Sequence, residues 1–274
     1  MKHGLVLLPE ESTGFCSGCC CSRTRIAYII SYVLYSFLQS RRLPGGDSVI
    51  EAADHDTIGD SAYRNIRNDI IFGQLRPSEK LRLEPLRKRY NVSVTTLREI
   101  LNRLTSDGLV VAEGQKGFEV ASVSDANLWE VAELRLLVEG HAIARSFEHG
   151  DLDWEAQVVA AHHKLHRLED RMIAGDMTAR EDWKRADWGF HRALITGCGS
   201  ETLMDLHEQL FDKYLRYQML TLAFRGENAA REHAELLEAA FARDVKRASD
   251  ILSKHILGGV EFIVNSRKEG SQDR

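Results

Sequence analysis

The sequence predicts a mainly α-helical protein, in which a small N-terminal module of three helices and a β-hairpin precedes an all-α antiparallel bundle. Only four prolines occur among 274 residues, which favours long helices because proline interrupts a helix interior. Residues 58–122 alternate short helical patterns with short apolar strands. Residues 125–266 carry apolar side chains at helical spacing, and the breaks between runs fall at glycines.

The composition is that of a soluble globular protein with about two domains. Hydrophobic residues make up 43% and charged residues 28% of the chain, and the net charge is −5. That charge is uneven: residues 60–121 carry 11 Lys and Arg against 8 Asp and Glu, whereas residues 122–274 carry 20 against 27. A mildly basic segment joined to an acidic one is typical of a nucleic-acid-binding module attached to a soluble sensor.

Residues 1–57 differ in character from the rest, and we assign them no function. Their apolar run at 26–38 is about 13 residues long, whereas a membrane-spanning helix needs about 20. Four of the five cysteines lie within residues 16–21, without a second Cys or His pair at zinc-finger spacing. We interpret the segment as a disordered extension or the product of a start codon placed too far upstream. The chain is expected in the reducing cytoplasm, without a membrane partner.

The module at 58–122 has the element order of a winged helix-turn-helix. Helical spacing of isoleucines predicts a first helix over 62–75, and Pro85 can open a second that ends at Tyr90. Ser93 is a candidate N-cap of a third helix, which carries an apolar stripe through Leu104. Two apolar stretches then surround a glycine-containing segment, which indicates a β-hairpin.

The third helix of such a module enters the major groove of DNA with its N-terminal residues foremost. Hydroxyl side chains there meet phosphates, and an arginine can read guanine or hold a phosphate. The hairpin would offer a basic, glycine-containing tip to the adjacent backbone or minor groove. The alternative is a small helical subdomain with solvated charges. The predicted DNA contacts are Ser93, Val94, Thr95, Thr96, Arg98, Arg103, Gln115, Lys116 and Gly117.

The string NVSVTTLREILNRLTSDGLVVAEGQKGFEVA at 91–121 resembles the GntR family of bacterial regulators. The shared features are a Val-Ser pair, an Arg-Glu pair followed by two apolar residues, a Gly-Leu-Val entry to the wing and a glycine-rich wing tip. The resemblance implies binding to double-stranded operator DNA. Many members place arginine directly after the serine, where this chain has Val94. Base specificity would then rest on Arg98, Arg103 or contact between Val94 and a thymine methyl group.

The segment from 125 onward is predicted to form six helices joined by short links, which indicates an antiparallel bundle. Residues 267–274 are expected to be a tail. The predicted spans are 125–148, 151–174, 178–196, 199–224, 227–242 and 244–265.

Four residues of this bundle form a candidate metal site. Asp187 and His191 are four residues apart and share a helix face, while His233 and His255 lie in the last two helices. A carboxylate and three imidazoles suit Zn²⁺ or Ni²⁺. With 11 histidines in the chain, chance placement is the alternative. A second histidine cluster, at 162–166, is interpreted as a solvated helix face.

The strings DWGFHRALITGCGSETL and REHAELLEAAFARDVKRASDILSKHI are similar to the FadR-type ligand-binding domain called FCD. The resemblance implies a divalent metal held by Asp187, His191, His233 and His255, with coordination completed by the carboxylate of a small acid effector. The shorter strings NDII, EKLR and GCGS resemble the branch of the family that responds to glutarate.

Two arginines are predicted to bind the effector carboxylate. Arg135 lies where the resemblance places an arginine facing the pocket, although an ion pair with Glu139 at i+4 is an equal alternative. Arg216 is the second candidate.

The function predicted from the sequence is that of a homodimeric DNA-binding regulator, most simply a repressor, and not an enzyme. The alternatives are a metal-dependent hydrolase, a sensor of the metal itself, or a purely structural metal.

Overall fold

A computed structural model describes residues 57–114, 117–221 and 224–272 of the chain. The N-terminal extension up to residue 56, with its apolar run and cysteine cluster, lies outside these residues, as do the predicted wing contacts Gln115 and Lys116. Among the described residues, no helix combines the length and apolar character needed to cross a membrane.

Within its described residues, the N-terminal module has three α-helices and a three-stranded antiparallel sheet in the order β1-β3-β2. Leu81 of the first strand pairs with Phe118 of the hairpin, so the short apolar segment before the second helix completes the sheet. Its elements are α1 (Ile58–Ile71), β1 (Lys80–Leu81), α2 (Leu83–Tyr90), α3 (Val94–Ser106), β2 (Val110–Ala112) and β3 (Phe118–Val120).

Local sequence signals determine where α2 and α3 meet. Asn91 ends α2 in the left-handed conformation with φ of 52°, which asparagine tolerates better than most residues. The Ser93 hydroxyl then caps α3 by accepting from the Thr96 backbone N–H. Leu97 and Leu101 are fully buried in the module's core. The turn and the cap therefore fix the angle between α2 and α3. The face of α3 opposite its buried leucines remains exposed.

The described part of the C-terminal domain has six α-helices, which confirms the predicted mainly α fold with an all-helical bundle. A short 3₁₀ turn at Met177–Ala179 and another at Thr196–Cys198 replace two of the predicted links. The last helix continues through the predicted tail as far as Gln272. The helices are α4 (Asp125–His149), α5 (Leu152–Ile173), α6 (Arg180–Ile195), α7 (Glu201–Leu220), α8 (Glu227–Ala242) and α9 (Val245–Gln272).

Helix α7 joins the bundle to the DNA-binding module. The Arg67 guanidinium of α1 donates to Glu208 at 2.8 Å and forms an ion pair with Asp212. Ile71 of α1 packs with three apolar residues of α7, and two further aromatic side chains flank them. We call this apolar contact the domain seam; it comprises Ile71, Phe72, Trp188, Phe211, Leu215 and Met219.

Candidate metal centre and DNA-binding surface

The four predicted metal ligands converge inside the bundle. Asp187 and His191 lie on α6, His233 on α8 and His255 on α9, and all four are buried. One ligand atom from each lies within 4.8 Å of the others. Three separate helices therefore bring one carboxylate oxygen and three imidazole nitrogens to a common point.

Each of the three imidazoles is oriented by its own glutamate. The Nδ1 of His233 donates to Glu169 Oε1 at 2.6 Å, and the Nδ1 of His255 donates to Glu232 Oε2 at 2.9 Å. His191 donates in the same way to Glu139. A neutral imidazole that donates from Nδ1 has its lone pair on Nε2, which is the arrangement seen when a carboxylate orients a metal-binding histidine.

The carboxylate ligand Asp187 has a cationic partner. The buried Lys184 ammonium is 3.2 Å from Asp187 Oδ2, while Oδ1 is 3.2 Å from His233 Nε2 and 3.9 Å from His191 Nε2. Burial alone would raise the pKa of Asp187, but Lys184 and the two histidines hold it well below its usual range. Asp187 is therefore ionised, and one of its oxygens faces the imidazoles.

The donor set fits a divalent metal ion. The Nε2 atoms of His191 and His233 are buried without a hydrogen-bond partner, an arrangement that is costly for a purely structural cluster. Nitrogen and carboxylate donors are those that Zn²⁺ and similar ions take from proteins. Among the described residues this is the one group whose ligand atoms meet at metal-binding distances.

Replacing Glu169 with glutamine is expected to weaken metal binding roughly 10–100-fold, the usual effect of losing an outer partner of a metal ligand. The amide is neutral and no longer raises the basicity of His233. Calorimetric titration with Zn²⁺ or Ni²⁺ measures the change. The control is Asp170→Asn, a substitution of the exposed neighbour on the same helix. Equal affinities for the two variants would contradict the orienting role of Glu169.

Metal binding is also expected to depend on pH through His233. Burial would lower its pKa, but the contacts with Asp187 and Glu169 raise it to about 9 in the absence of metal. Burial lowers the pKa of His191 and His255 despite their glutamate partners.

Below pH 9 His233 therefore carries a proton that a metal must displace. The apparent metal affinity should rise about tenfold per pH unit toward pH 9 and then level off. Titrations in buffers of different ionisation enthalpy should show about one proton released at pH 7.5. An affinity that does not change between pH 7 and 9 would contradict this.

The two arginines proposed for the effector occupy different places. Arg135 is buried, donates through Nε to Glu139 at 2.8 Å, and leaves one terminal nitrogen without a partner. The ion pair with Glu139, which was the alternative to effector binding, is thus present. The terminal nitrogen of Arg135 without a partner remains available as a donor. Arg216 instead donates to the backbone carbonyls of Ala121 and Ser122. It ties α7 to the segment between the domains, so we do not retain it as an effector residue.

Sequence reasoning missed the groups that surround the four ligands. Besides the glutamates and Lys184, Arg225 lies against the centre and donates to Glu232 at 2.6 Å. Together with Gln218, Lys184 and Arg225 line a cavity of about 20 Å³ beside Asp187, His233 and His255. That volume accommodates about one water molecule.

The second histidine cluster is only partly the solvated face that the sequence predicted. His163 and His166 are exposed, whereas His162 is half-buried with its ring 5.3 Å from that of Phe190. Burial and the neighbouring histidines lower the pKa of His162 to about 4. It is therefore a neutral side chain packed behind the metal centre.

The predicted DNA contacts of α3 lie at its N-terminus and on its open face. Ser93, Thr95 and Arg98 are exposed, and Val94 and Thr96 are half-buried. Asn102, which sequence reasoning omitted, is exposed four residues after Arg98 and shares its face. Its polar amide, four residues after Arg98, was the sequence signal that could have identified Asn102 as a DNA contact.

The remaining described contacts are placed differently. The Arg103 guanidinium lies 3.8 Å from the Tyr63 ring centroid and 3.7 Å from Asp60. The Arg103 side chain therefore faces α1 and not the exposed face of α3 on which Arg98 lies. Gly117 of the wing has φ of 102°, a conformation that favours glycine.

Comparison with known proteins identifies both parts of the chain. Residues 58–120 match the model of bacterial regulatory proteins of the gntR family, and residues 130–258 match the FCD domain. The transcriptional repressor GlaR of Escherichia coli is 35% identical over 207 residues, covering 73% of this chain and 93% of GlaR. The chain belongs to the GntR family. It is a DNA-binding transcriptional regulator with an FCD domain, as the sequence predicted, and the matched families are not enzymes.

Other GntR relatives agree with this assignment. The transcriptional regulator BphR of Paraburkholderia xenovorans is 31% identical over 227 residues, covering 80% of this chain and 93% of BphR. Among solved structures, McbR/YncC of E. coli has a TM-score of 0.64 at 21% identity, covering 77% of this chain and 99% of that structure. A regulator from Rhodococcus sp. RHA1 has a TM-score of 0.62 at 22% identity, covering 76% and 97%. These structures support the fold.

Proposed function

We propose that this GntR regulator is a repressor whose FCD domain holds a divalent metal and binds a small carboxylic acid that weakens operator binding. The observation that carries the proposal is the convergence of four buried donors, two of which are imidazole nitrogens without another partner. When bound, the metal would supply a Lewis-acidic position for a carboxylate oxygen. Because four protein donors fill the tetrahedral shell of Zn²⁺, the acid would bind by raising the coordination number above four.

The charge around the centre favours an anionic ligand. With neutral imidazoles, the side chains at the centre carry four negative and three positive charges. A divalent ion that displaces the His233 proton leaves a net charge of +1, and one carboxylate restores neutrality in this buried region. The charged side chains are Asp187, Glu139, Glu169 and Glu232, with Lys184, Arg135 and Arg225.

The small cavity beside the centre links acid binding to movement. Its volume of about 20 Å³ is too small for an organic acid, so Lys184, Gln218 or Arg225 must move when one enters. Gln218 belongs to α7, the helix that contacts the DNA-binding module. An acid that enters against Gln218 should therefore displace α7.

Helix α7 connects the metal centre to the DNA-binding module through direct contacts. His207 Nε2 lies 3.3 Å from Glu139 Oε2, and the Phe211 ring lies 5.7 Å from that of His191. On the same helix, Phe211 packs in the domain seam, and Arg216 holds the connecting segment. A shift of α7 thus changes the position of α1 and of α3 behind it.

We further propose that two chains pair, so that two α3 helices reach two half-sites of a roughly palindromic operator. Arg98 and Asn102, on one face of α3, would read bases, while Ser93, Thr95 and Thr96 would meet phosphates. Gly117 and its neighbours in the wing would approach the adjacent backbone.

The test is operator binding by the metal-loaded protein with a series of small acids, beginning with glutarate, and with neutral 1,5-pentanediol as the matched comparison. An active acid should lower operator affinity about 5–150-fold, a coupling of roughly 1–3 kcal/mol. The diol should have no effect. Asp187→Asn, which keeps the side-chain shape, should abolish the response to the acid.

The alternatives give different outcomes. If no acid changes binding at saturation but the metal alone does, the domain senses the metal. If neither does, and chelation unfolds the bundle, the metal is structural.

A further inference from the structure

The small cavity beside the metal centre is closed toward solvent on one side by a charged side chain. Three of its lining residues, Gln218, Arg225 and Phe262, are partly or fully exposed. The remaining lining residues, which include Trp183 and Lys184, are buried together with the metal ligands. A solute that reaches the ligands through this cavity therefore passes the side that Arg225 covers, where 14% of the Arg225 side chain is exposed.

The Arg225 guanidinium is held in place by contacts with α8 and α9. Its Nη2 donates to Glu232 Oε2 at 2.6 Å and to the main-chain carbonyl of His255 at 3.0 Å. Its Nη1 lies against α9 at Gly258, where an added Cβ would be 2.8 Å away. One guanidinium therefore contacts both a metal ligand and the glutamate that orients it.

Gly258 provides the space that the Arg225 guanidinium occupies. Glycine inside a helix costs about 1 kcal/mol relative to alanine, and Gly258 lies in the interior of α9. Its φ is not positive, so the backbone conformation does not require glycine. The missing side chain instead gives room to the far end of Arg225, which is flexible and borders solvent.

We propose that Arg225 is the gate of the metal centre. In the closed position seen in this structure, its bonds to Glu232 and to the His255 carbonyl cover the cavity. In the open position its side chain would turn toward solvent and leave a passage beside Gly258 to the metal ligands. This inference rests on the proposed function, and it identifies which of the groups around the cavity moves to admit a solute.

The other two candidates for this movement are less suited to it. The Lys184 ammonium is buried and is the counter-charge of the ligand Asp187, so its departure would leave a buried charge without a partner. The side-chain oxygen of Gln218 is also buried. Opening at Arg225 is separate from the displacement of α7, which follows when an acid inside the cavity presses on Gln218.

A gate has a kinetic signature that other roles of Arg225 would not produce. Weakening the closed position should speed both uptake and release of the metal. If Arg225 only repelled the metal, loss of its charge would speed uptake and slow release. If Arg225 only oriented Glu232, its substitution would speed release and leave uptake unchanged.

The experiment measures both rates for Zn²⁺ by stopped flow with the full-length protein. Uptake is followed with a fluorescent zinc indicator that reports the free ion. Release is followed by transfer of the bound ion to an excess of a chromogenic chelator. Equilibrium titration of the same samples gives the affinity, and thermal unfolding shows that each variant is folded.

Two substitutions weaken the closed position without removing the positive charge. Arg225→Lys replaces the planar guanidinium, whose fixed donors reach Glu232 and the His255 carbonyl together. Gly258→Ala keeps Arg225 but fills the space beside its Nη1. The matched controls are Arg231→Lys, at an exposed arginine of α8, and Gly140→Ala, at a helical glycine where an added Cβ meets nothing within 4 Å.

We expect uptake and release to be at least about fivefold faster in both Arg225→Lys and Gly258→Ala, because a charged hydrogen bond that holds the gate closed is lost or strained. The affinity should change less than either rate, since both rates rise together. The two control variants should behave as the parent does.

Unchanged rates in Arg225→Lys or in Gly258→Ala would overturn the gate, and so would faster release with unchanged uptake. A parent protein that takes up no metal would refute the proposed function, and this inference with it. A parent that binds the metal while the variants keep its rates would refute the gate alone.

Discussion

Asp187→Ala should abolish tight metal binding, reducing the metal content of the purified protein from one ion per chain to none. Asp187 is the only anionic donor among the four ligands. Its loss also leaves the buried Lys184 ammonium beside the imidazoles without its counter-charge, and an uncompensated buried charge opposes a second cation. The affinity should fall by more than the roughly 10–100-fold caused by losing an outer partner.

Metal analysis after gel filtration measures the stoichiometry, and thermal unfolding with added Zn²⁺ or Ni²⁺ gives an independent readout. Metal that binds the folded state should raise the Tm of the parent and not that of the variant. Asp182→Ala replaces an exposed acid of the same helix and should behave as the parent. Retention of one tightly bound ion by folded Asp187→Ala protein would show that the metal binds elsewhere.

Arg98→Ala should weaken operator binding by roughly 1–3 kcal/mol, about 5–150-fold, and relax the preference for one base pair. Arg98 is exposed near the start of α3, where recognition helices approach base edges. Binding measured over a series of single-base operator variants separates lost base reading from lost phosphate attraction. A phosphate contact would instead weaken all sequences equally and reduce the salt dependence.

Arg103→Ala should have a smaller effect, because the Arg103 guanidinium is engaged with Tyr63 and Asp60. Arg167→Ala, at an exposed arginine of α5, serves as the charge control in the other domain. The assignment of α3 as the recognition helix would be contradicted if Arg98→Ala bound every operator variant as tightly as Arg167→Ala.

Much of the fold could be predicted because its signals are local. Ser93 caps α3 as expected, helices of the bundle end at or near Gly150, Gly175 and Gly199, and Gly226 is the N-cap of α8. The Asp187 and His191 spacing placed two ligands on one face of α6. Their convergence with His233 and His255 depended on a family resemblance, since spacing within one helix carries no information about its neighbours.

The groups that surround the ligands could not be predicted, because packing alone selects them. Glu139, Glu169 and Glu232 lie on other parts of the chain from the histidines they orient, among 41 acidic residues. One local signal was present: Arg135 and Glu139 interrupt the buried face of α4 between Ala132 and Ala142. Charged residues at core positions are rarely buried unless paired or bound to a metal.

The misplacement of Arg216 has the same origin. The sequence places Arg216 within the fourth predicted bundle helix, and this position does not indicate whether its side chain faces the connecting segment or the metal centre. The backbone carbonyls of Ala121 and Ser122, which accept its hydrogen bonds, carry no signal in the sequence. Only the packing of one domain on the other reveals this partner.

An anomalous difference map from crystals grown with Zn²⁺ or Ni²⁺ tests the metal centre most directly. The account predicts one strong peak per chain, bounded by Asp187, His191, His233 and His255, with ligand distances near 2.0–2.2 Å. The three histidines should bind through Nε2 and keep their Nδ1 contacts with glutamate. The absence of a peak at this position would contradict the account. A peak on other side chains, with the Lys184 ammonium still paired with Asp187, would also contradict it.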